Sequence, residues 1–128
     1  MSYSIRKEVN LTFDEALEKV TAELKKEGFG VLTEIDVKKT LKEKLDVDMM
    51  SYKILGACNP PFAHKALETD PEIGLLLPCN VIVYESESGQ INVAAIDAQA
   101  MLQITGREDI EPLAMEVNSR LERVINNI

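Results

Sequence analysis

Two runs rich in β-branched residues, Cys79–Glu85 and Ile91–Ile96, flank the polar stretch Ser-Glu-Ser-Gly at 86–89. Strand-forming runs separated by a short, glycine-ended polar segment read as a β-hairpin. The second half of the chain is therefore expected to build on antiparallel pairing, and the other elements have to be arranged around it.

Upstream, Tyr3, Ile5, Lys7 and Val9 alternate with Ser4, Arg6 and Glu8, the pattern of a short, partly exposed strand. Thr12-Phe13-Asp14-Glu15 has the form of a capping box, and Phe13, Ala16, Leu17, Val20 and Leu24 follow at helical spacing up to the stop at Gly28. Residues 29 to 35 read as a second strand buried mainly on one face, and Asp36 as the cap of a surface helix over Val37–Leu45. A third strand at about 50 to 58 puts Tyr52, Ile54, Gly56 and Cys58 on one face and Lys53, Leu55 and Ala57 on the other, the Ile54 side being read as the inner one.

Asn59-Pro60-Pro61 is a helix start, because asparagine accepts at the N-cap and proline in the first turn gives up no needed donor. That helix is expected to reach about Thr69, with a turn over Asp70-Pro71-Glu72-Ile73-Gly74 leading to the hairpin. Residues 97 to 106 fit either one or two helical turns or a folded-over loop. Asp109 is positioned to cap a last helix, whose stripe is Ile110, Leu113, Val117, Leu121, Val124 and Ile128. Four or five strands with amphipathic helices near both ends of the order predict an α+β fold. Its form is two layers, with helices on one face of a largely antiparallel sheet.

The chain has 128 residues, the size of one domain spanning 1–128. Its net charge of −8 works against phosphate backbones and anionic lipid, so neither nucleic acid nor a membrane surface is an expected partner. Charged residues near the N-terminus stand where a signal peptide needs apolar ones, and no run approaches a membrane span. The expected compartment is the cytoplasm. Cys58 and Cys79 are then expected as free thiols, and their wide separation fits neither a redox CxxC pair nor a zinc ribbon.

The segment Tyr52-Lys53-Ile54-Leu55-Gly56-Ala57-Cys58-Asn59-Pro60-Pro61, continued by Ala63-His64, Ala66-Leu67, Asp70-Pro71, Ile73-Gly74 and Leu77-Pro78-Cys79-Asn80, resembles the centre of the domain of unknown function 302 family, small bacterial and archaeal proteins. Glu27-Gly28-Phe29-Gly30-Val31 and Ile96-Asp97 extend the resemblance over essentially the whole chain. It implies a sandwich of sheet and helices with a strand and helix order like that of the TATA-box-binding-protein class, and a homodimer. It implies no particular activity, and the fold likeness does not imply DNA binding on so acidic a chain.

The candidate site residues are Cys58, Asn59, His64 and Cys79. Cys58 precedes a helix N-terminus, whose free N–H groups favour a thiolate; the alternative is a small core residue. Cys79 reads first as a core filler, and Asn59 first as an N-cap. His64 is either a surface residue paired with Glu68 or a ligand near the same sheet rim. Cys58, His64 and Cys79 form a soft donor set for a transition metal such as zinc, copper(I) or a haem-type iron, with Asp97 or water as a fourth ligand. This requires the third and fourth strands to be antiparallel neighbours, since a parallel crossover separates the cysteines by the strand length. The leading expectation is a module that binds a small molecule or metal in a Cys/His-lined pocket. The alternatives are a thiol-based redox enzyme or sensor, and an interaction protein acting as a dimer.

Overall fold

The computed structural model describes residues 2–128. Its strands are β1 (Ser4–Val9), β2 (Gly30–Asp36), β3 (Tyr52–Cys58), β4 (Cys79–Glu85) and β5 (Ile91–Ile96). All neighbours pair antiparallel, in the order β1-β5-β4-β3-β2, so the expected hairpin forms the centre of the sheet. The hairpin closes through Ser86 N–H to the Gln90 carbonyl and Gly89 N–H to the Ser86 carbonyl. Gly89 takes φ +87° there, a backbone region that glycine enters without a steric penalty.

Helix α1 (Phe13–Lys26) begins with the expected capping box: the Glu15 amide donates to Thr12 Oγ1 at 3.1 Å and the Thr12 amide to Glu15 Oε1 at 2.9 Å. It ends in a Schellman turn, with Phe29 N–H bonded to the Leu24 carbonyl, Gly28 N–H to Lys25, and φ +84° at Gly28. Helix α5 (Glu111–Asn126) turns Val117, Leu121, Val124 and Ile125 inward. Both helices pack on the face of the sheet that carries Leu55, Ala57, Val81, Val83, Val93 and Ala95. The result is the α+β two-layer arrangement, helices on one side of a five-stranded antiparallel sheet. Among the described residues no helix is long and apolar enough to cross a membrane.

Several local expectations change. The inner face of β3 is the one carrying Leu55 and Ala57, 2% and 1% exposed, and not the Ile54 side. Alternation places residues in two sets but does not say which set meets the helices. Strand β2 is mostly exposed, because it is the outer strand of the sheet and its register breaks between Val31 and Thr33. Asp36 caps α2 (Val37–Leu45) as expected, accepting from Lys39 N–H at 3.0 Å. Asp109 does not cap α5. Its carboxylate is held in a fork by Arg107 at 3.0 and 2.7 Å, and Ile110 occupies the N-cap position. Residues 98–105 resolve into α4 (Ala98–Leu102) and a 3-10 turn over Gln103–Thr105, closed by Gly106 at φ +68°.

Candidate functional site: an apolar cavity at the Cys79 end of the sheet

Strands β3 and β4 are antiparallel neighbours, with Ala57 directly opposite Cys79. The two cysteines therefore share one rim of the sheet, and both thiols are free. Helix α3 (Pro60–Thr69) leaves β3 at this rim, and a 3-10 helix over Pro71–Leu76 returns the chain to β4. Between these segments, α4 and α5 lies a cavity of about 40 Å³ bordered by Cys58, Asn59 and Cys79. Its lining is almost wholly apolar. Ala57, Ala63, Ala66 and Ala98 leave the space, and Phe29, Phe62, Ile73, Met101 and Leu102 wall it.

Both cysteines border this cavity. Cys79 lies on the helix-facing side with Ala57, and Cys58 is the last residue of β3. Cys79 is 7% exposed, and its burial, helped by the proximity of Cys58, pushes the thiol up to about 11. At neutral pH it is a neutral, weakly polar wall group rather than a nucleophile.

Asn59 is 8% exposed and sits at the N-cap position of α3, but its side chain makes no capping bond. It donates through Nδ2 to the Glu27 carbonyl at 3.4 Å, and Arg120 Nη1 donates to the same oxygen at 2.9 Å. The N-cap residue of one helix thus bonds the Glu27 carbonyl at the end of another. Gly28 permits this approach, since a Cβ there would stand 2.9 Å from Asn59 Nδ2. The Arg120 guanidinium, fixed by Glu116 at 3.0 Å, lies 5.1 Å over the Phe62 ring and holds that wall of the cavity from outside.

The opposite wall is set by Asp97 and Asn118. Asp97 caps α4 through Ala100 N–H at 3.0 Å, and Asn118 Nδ2 donates to the same carboxylate at 2.7 Å. Asn118 Oδ1 accepts from Ala98 N–H at 2.6 Å. Burial raises the Asp97 carboxyl, yet hydrogen bonds from Asn118, Ala100 and Gln99 outweigh it and hold the group below its ordinary value. Asp97 is thus engaged as a helix cap, not free as a ligand.

His64 does not join the cysteines. Phe62, Ala63 and Ala66 turn toward the cavity at helical spacing, which carries His64 to the outer face of α3. Its side chain is 77% exposed and 3.5 Å from Glu68. Among the described residues no three His, Cys, Asp or Glu side chains gather as a metal ligand set, so the proposed Cys58, His64 and Cys79 triad is not assembled. Sequence reasoning missed Phe29, Ile73, Ala98, Leu102 and Asn118, which reach the site from four separate segments. The alanines at 63, 66 and 98 were its only local trace, as small residues on otherwise apolar helix faces.

A crystal structure of an uncharacterized conserved DUF302 protein from Bacillus stearothermophilus has this fold. It superposes with a TM-score of 0.92 over 99% of this chain and 98% of its own, at 26% identity. An uncharacterized protein of Aquifex aeolicus (strain VF5) is 33% identical over 94 residues, which span 64% of this chain and 65% of that relative. The family model "Domain of unknown function DUF302" matches residues 5–128, and with the conserved-fold neighbour it shows that the chain belongs to the DUF302 family, which carries no assigned activity.

Proposed function

We propose that this chain is a binding module for a small, predominantly apolar molecule, held in the cavity between β3, β4, α3 and α4. The observation that carries this reading is a dry-walled space kept open by alanines in an otherwise close-packed region. A water needs roughly 10–15 Å³ and several polar partners. This cavity has the room but offers almost no partners, so apolar atoms fit it better than solvent. Its size admits a few heavy atoms, as in a small neutral molecule or the end of an aliphatic chain. The Cys79 thiol and the Asn59 amide are the polar groups that give it direction.

Metal binding is less well supported, because among the described residues the two cysteines have no third donor gathered with them. A thiol exchange pair is less well supported too, because the neutral Cys79 is a poor attacking group. Two free cysteines on one rim fit a reducing cytoplasm, which is the compartment we infer.

Xenon is a suitable probe, since it enters dry apolar cavities without needing a polar contact. Under xenon pressure the methyl resonances of Ala57, Ala66 and Leu102 are expected to shift saturably. The response should vanish in Ala66→Leu and in Ala98→Val, provided each keeps the native spectrum elsewhere. A xenon response that is absent in the wild type, or survives both filled variants, refutes the assignment.

A further inference from the structure

Helix α3 borders two spaces at once. Phe62, Ala66 and Thr69 recur along it at helical spacing, with Ala63 on one flank of that stripe and Lys65 on the other. The cavity lies on the Ala63 flank. On the Lys65 flank, a wider groove of about 540 Å³, open to solvent, runs between α3 and the start of α5. Helix α5 is divided in the same way, since Val117 borders only the cavity and Glu116 only the groove. Phe62 and Leu113 border both, so these two partly exposed side chains are the wall between apolar interior and polar groove. The three carboxylates of the groove already have partners. Asp109 is bonded by Arg107 at 2.7 Å and Glu116 by Arg120 at 3.0 Å, and Glu68 turns to His64 at 3.5 Å. Lys65 is the groove charge that forms no ion pair among the described residues.

We propose that the ligand of the cavity is a short straight-chain carboxylate, with its alkyl end among the alanines, its chain passing between Phe62 and Leu113, and its carboxylate at the Lys65 ammonium. This inference rests on the cavity reading above and specifies the class of ligand. At roughly 10–15 Å³ for each water-sized group, the cavity of about 40 Å³ takes an end of about three carbons. The charged head does not follow them in, because the lining offers almost no hydrogen-bond partner and an ionised group is far better solvated by water than by such walls. It stays at the wall, on the groove side, where the Lys65 ammonium stands on a flexible stem and is not engaged by a protein carboxylate. An alkylammonium at the same place meets a like charge, and the arginines already hold Asp109 and Glu116. An alcohol of the same length fills the cavity equally well but gains nothing from the ammonium charge. Burial of the chain thus supplies most of the affinity, and Lys65 selects the head group.

Chemical-shift titrations of the methyl-labelled full chain at neutral pH test it, with butyrate, pentanoate, hexanoate and octanoate beside hexanol and hexylammonium. Affinity is expected to rise about fourfold per methylene, the equivalent of about 0.8 kcal/mol, up to about hexanoate and then to level off. Hexanoate should bind more tightly than hexanol or hexylammonium. Lys65→Gln should weaken hexanoate about fourfold and leave hexanol unchanged, and Lys65→Glu should make hexylammonium the tighter of the two ions. Lys65 is exposed, so neither change threatens the fold. In Ala66→Leu the gain with chain length should disappear. Hexanoate that binds no more tightly than hexanol, or equally well to the wild type and Lys65→Gln, overturns the proposal. Xenon separates it from the reading on which it rests. A saturable xenon response without carboxylate binding overturns the ligand class alone, whereas a wild type silent to xenon overturns both.

Discussion

At the scale of single residues, the cavity depends on two groups whose states are set by burial. The Cys79 thiol is raised from 9.0 to about 11. At pH 8 its thiolate population is then roughly a hundredfold below that of an ordinary thiol, so native Cys79 should react with iodoacetamide at least that much more slowly than the unfolded chain. Because the folded value is the higher one, the associated stability is complete below pH 9 and is lost as the pH climbs through 11. The loss amounts to about 2–3 kcal/mol. Urea unfolding at pH 8 and pH 11 should show it in the wild type and not in Cys79→Ala. Asn118, only 5% exposed, joins the Ala98 amide to the Asp97 carboxylate. Asn118→Ala leaves the Ala98 amide without its partner, takes one hydrogen bond from the Asp97 carboxylate, and should destabilise by about 1–3 kcal/mol, measured by urea unfolding at neutral pH.

Among the elements, the contact between β2 and β3 hangs on Gly56. A Cβ at this position would collide with the Thr33 side chain and stand 2.9 Å from Pro78 Cγ. Glycine is needed for this close approach and not for its backbone angle, since its φ is not positive. Gly56→Ala should lower stability by about 1–3 kcal/mol, the range for overpacking a filled site. Thr33→Ala in the same chain should recover part of that loss, because it removes the hydroxyl that collides while Pro78 stays in place. Failure of Thr33→Ala to recover anything in chemical denaturation would place the strain at Pro78 alone. The elements also show why capping chemistry was only partly readable. Thr12 and Asp36 bond to amides three residues along the chain, a distance fixed by local geometry. Asn59 and Asp109 had nearer or stronger partners in Glu27 and Arg107, and the first of these is 32 residues away.

At the scale of the molecule, the fold follows from patterns that local sequence carries. The hairpin around 86–89, the capping box at Thr12 and the inward stripe of α5 each report a period and a boundary, and together they determine an α+β chain with antiparallel strands. The segment from Tyr52 to Asn80 contributes Ala57, Cys58, Asn59 and Cys79 to the lining of the cavity. Tertiary structure alone decided the face of each strand that meets the helices, because a period of two assigns residues to sides without naming the inner one. It also decided that His64 faces outward while Phe62, Ala63 and Ala66 face the cavity, since a helix rotates each residue by about 100° and only its packing sets the origin of that rotation. The cavity itself is a volume left between segments that join residues as far apart as Phe29 and Val117. Space of that kind is a property of packing among distant elements, and no local pattern of residues encodes it.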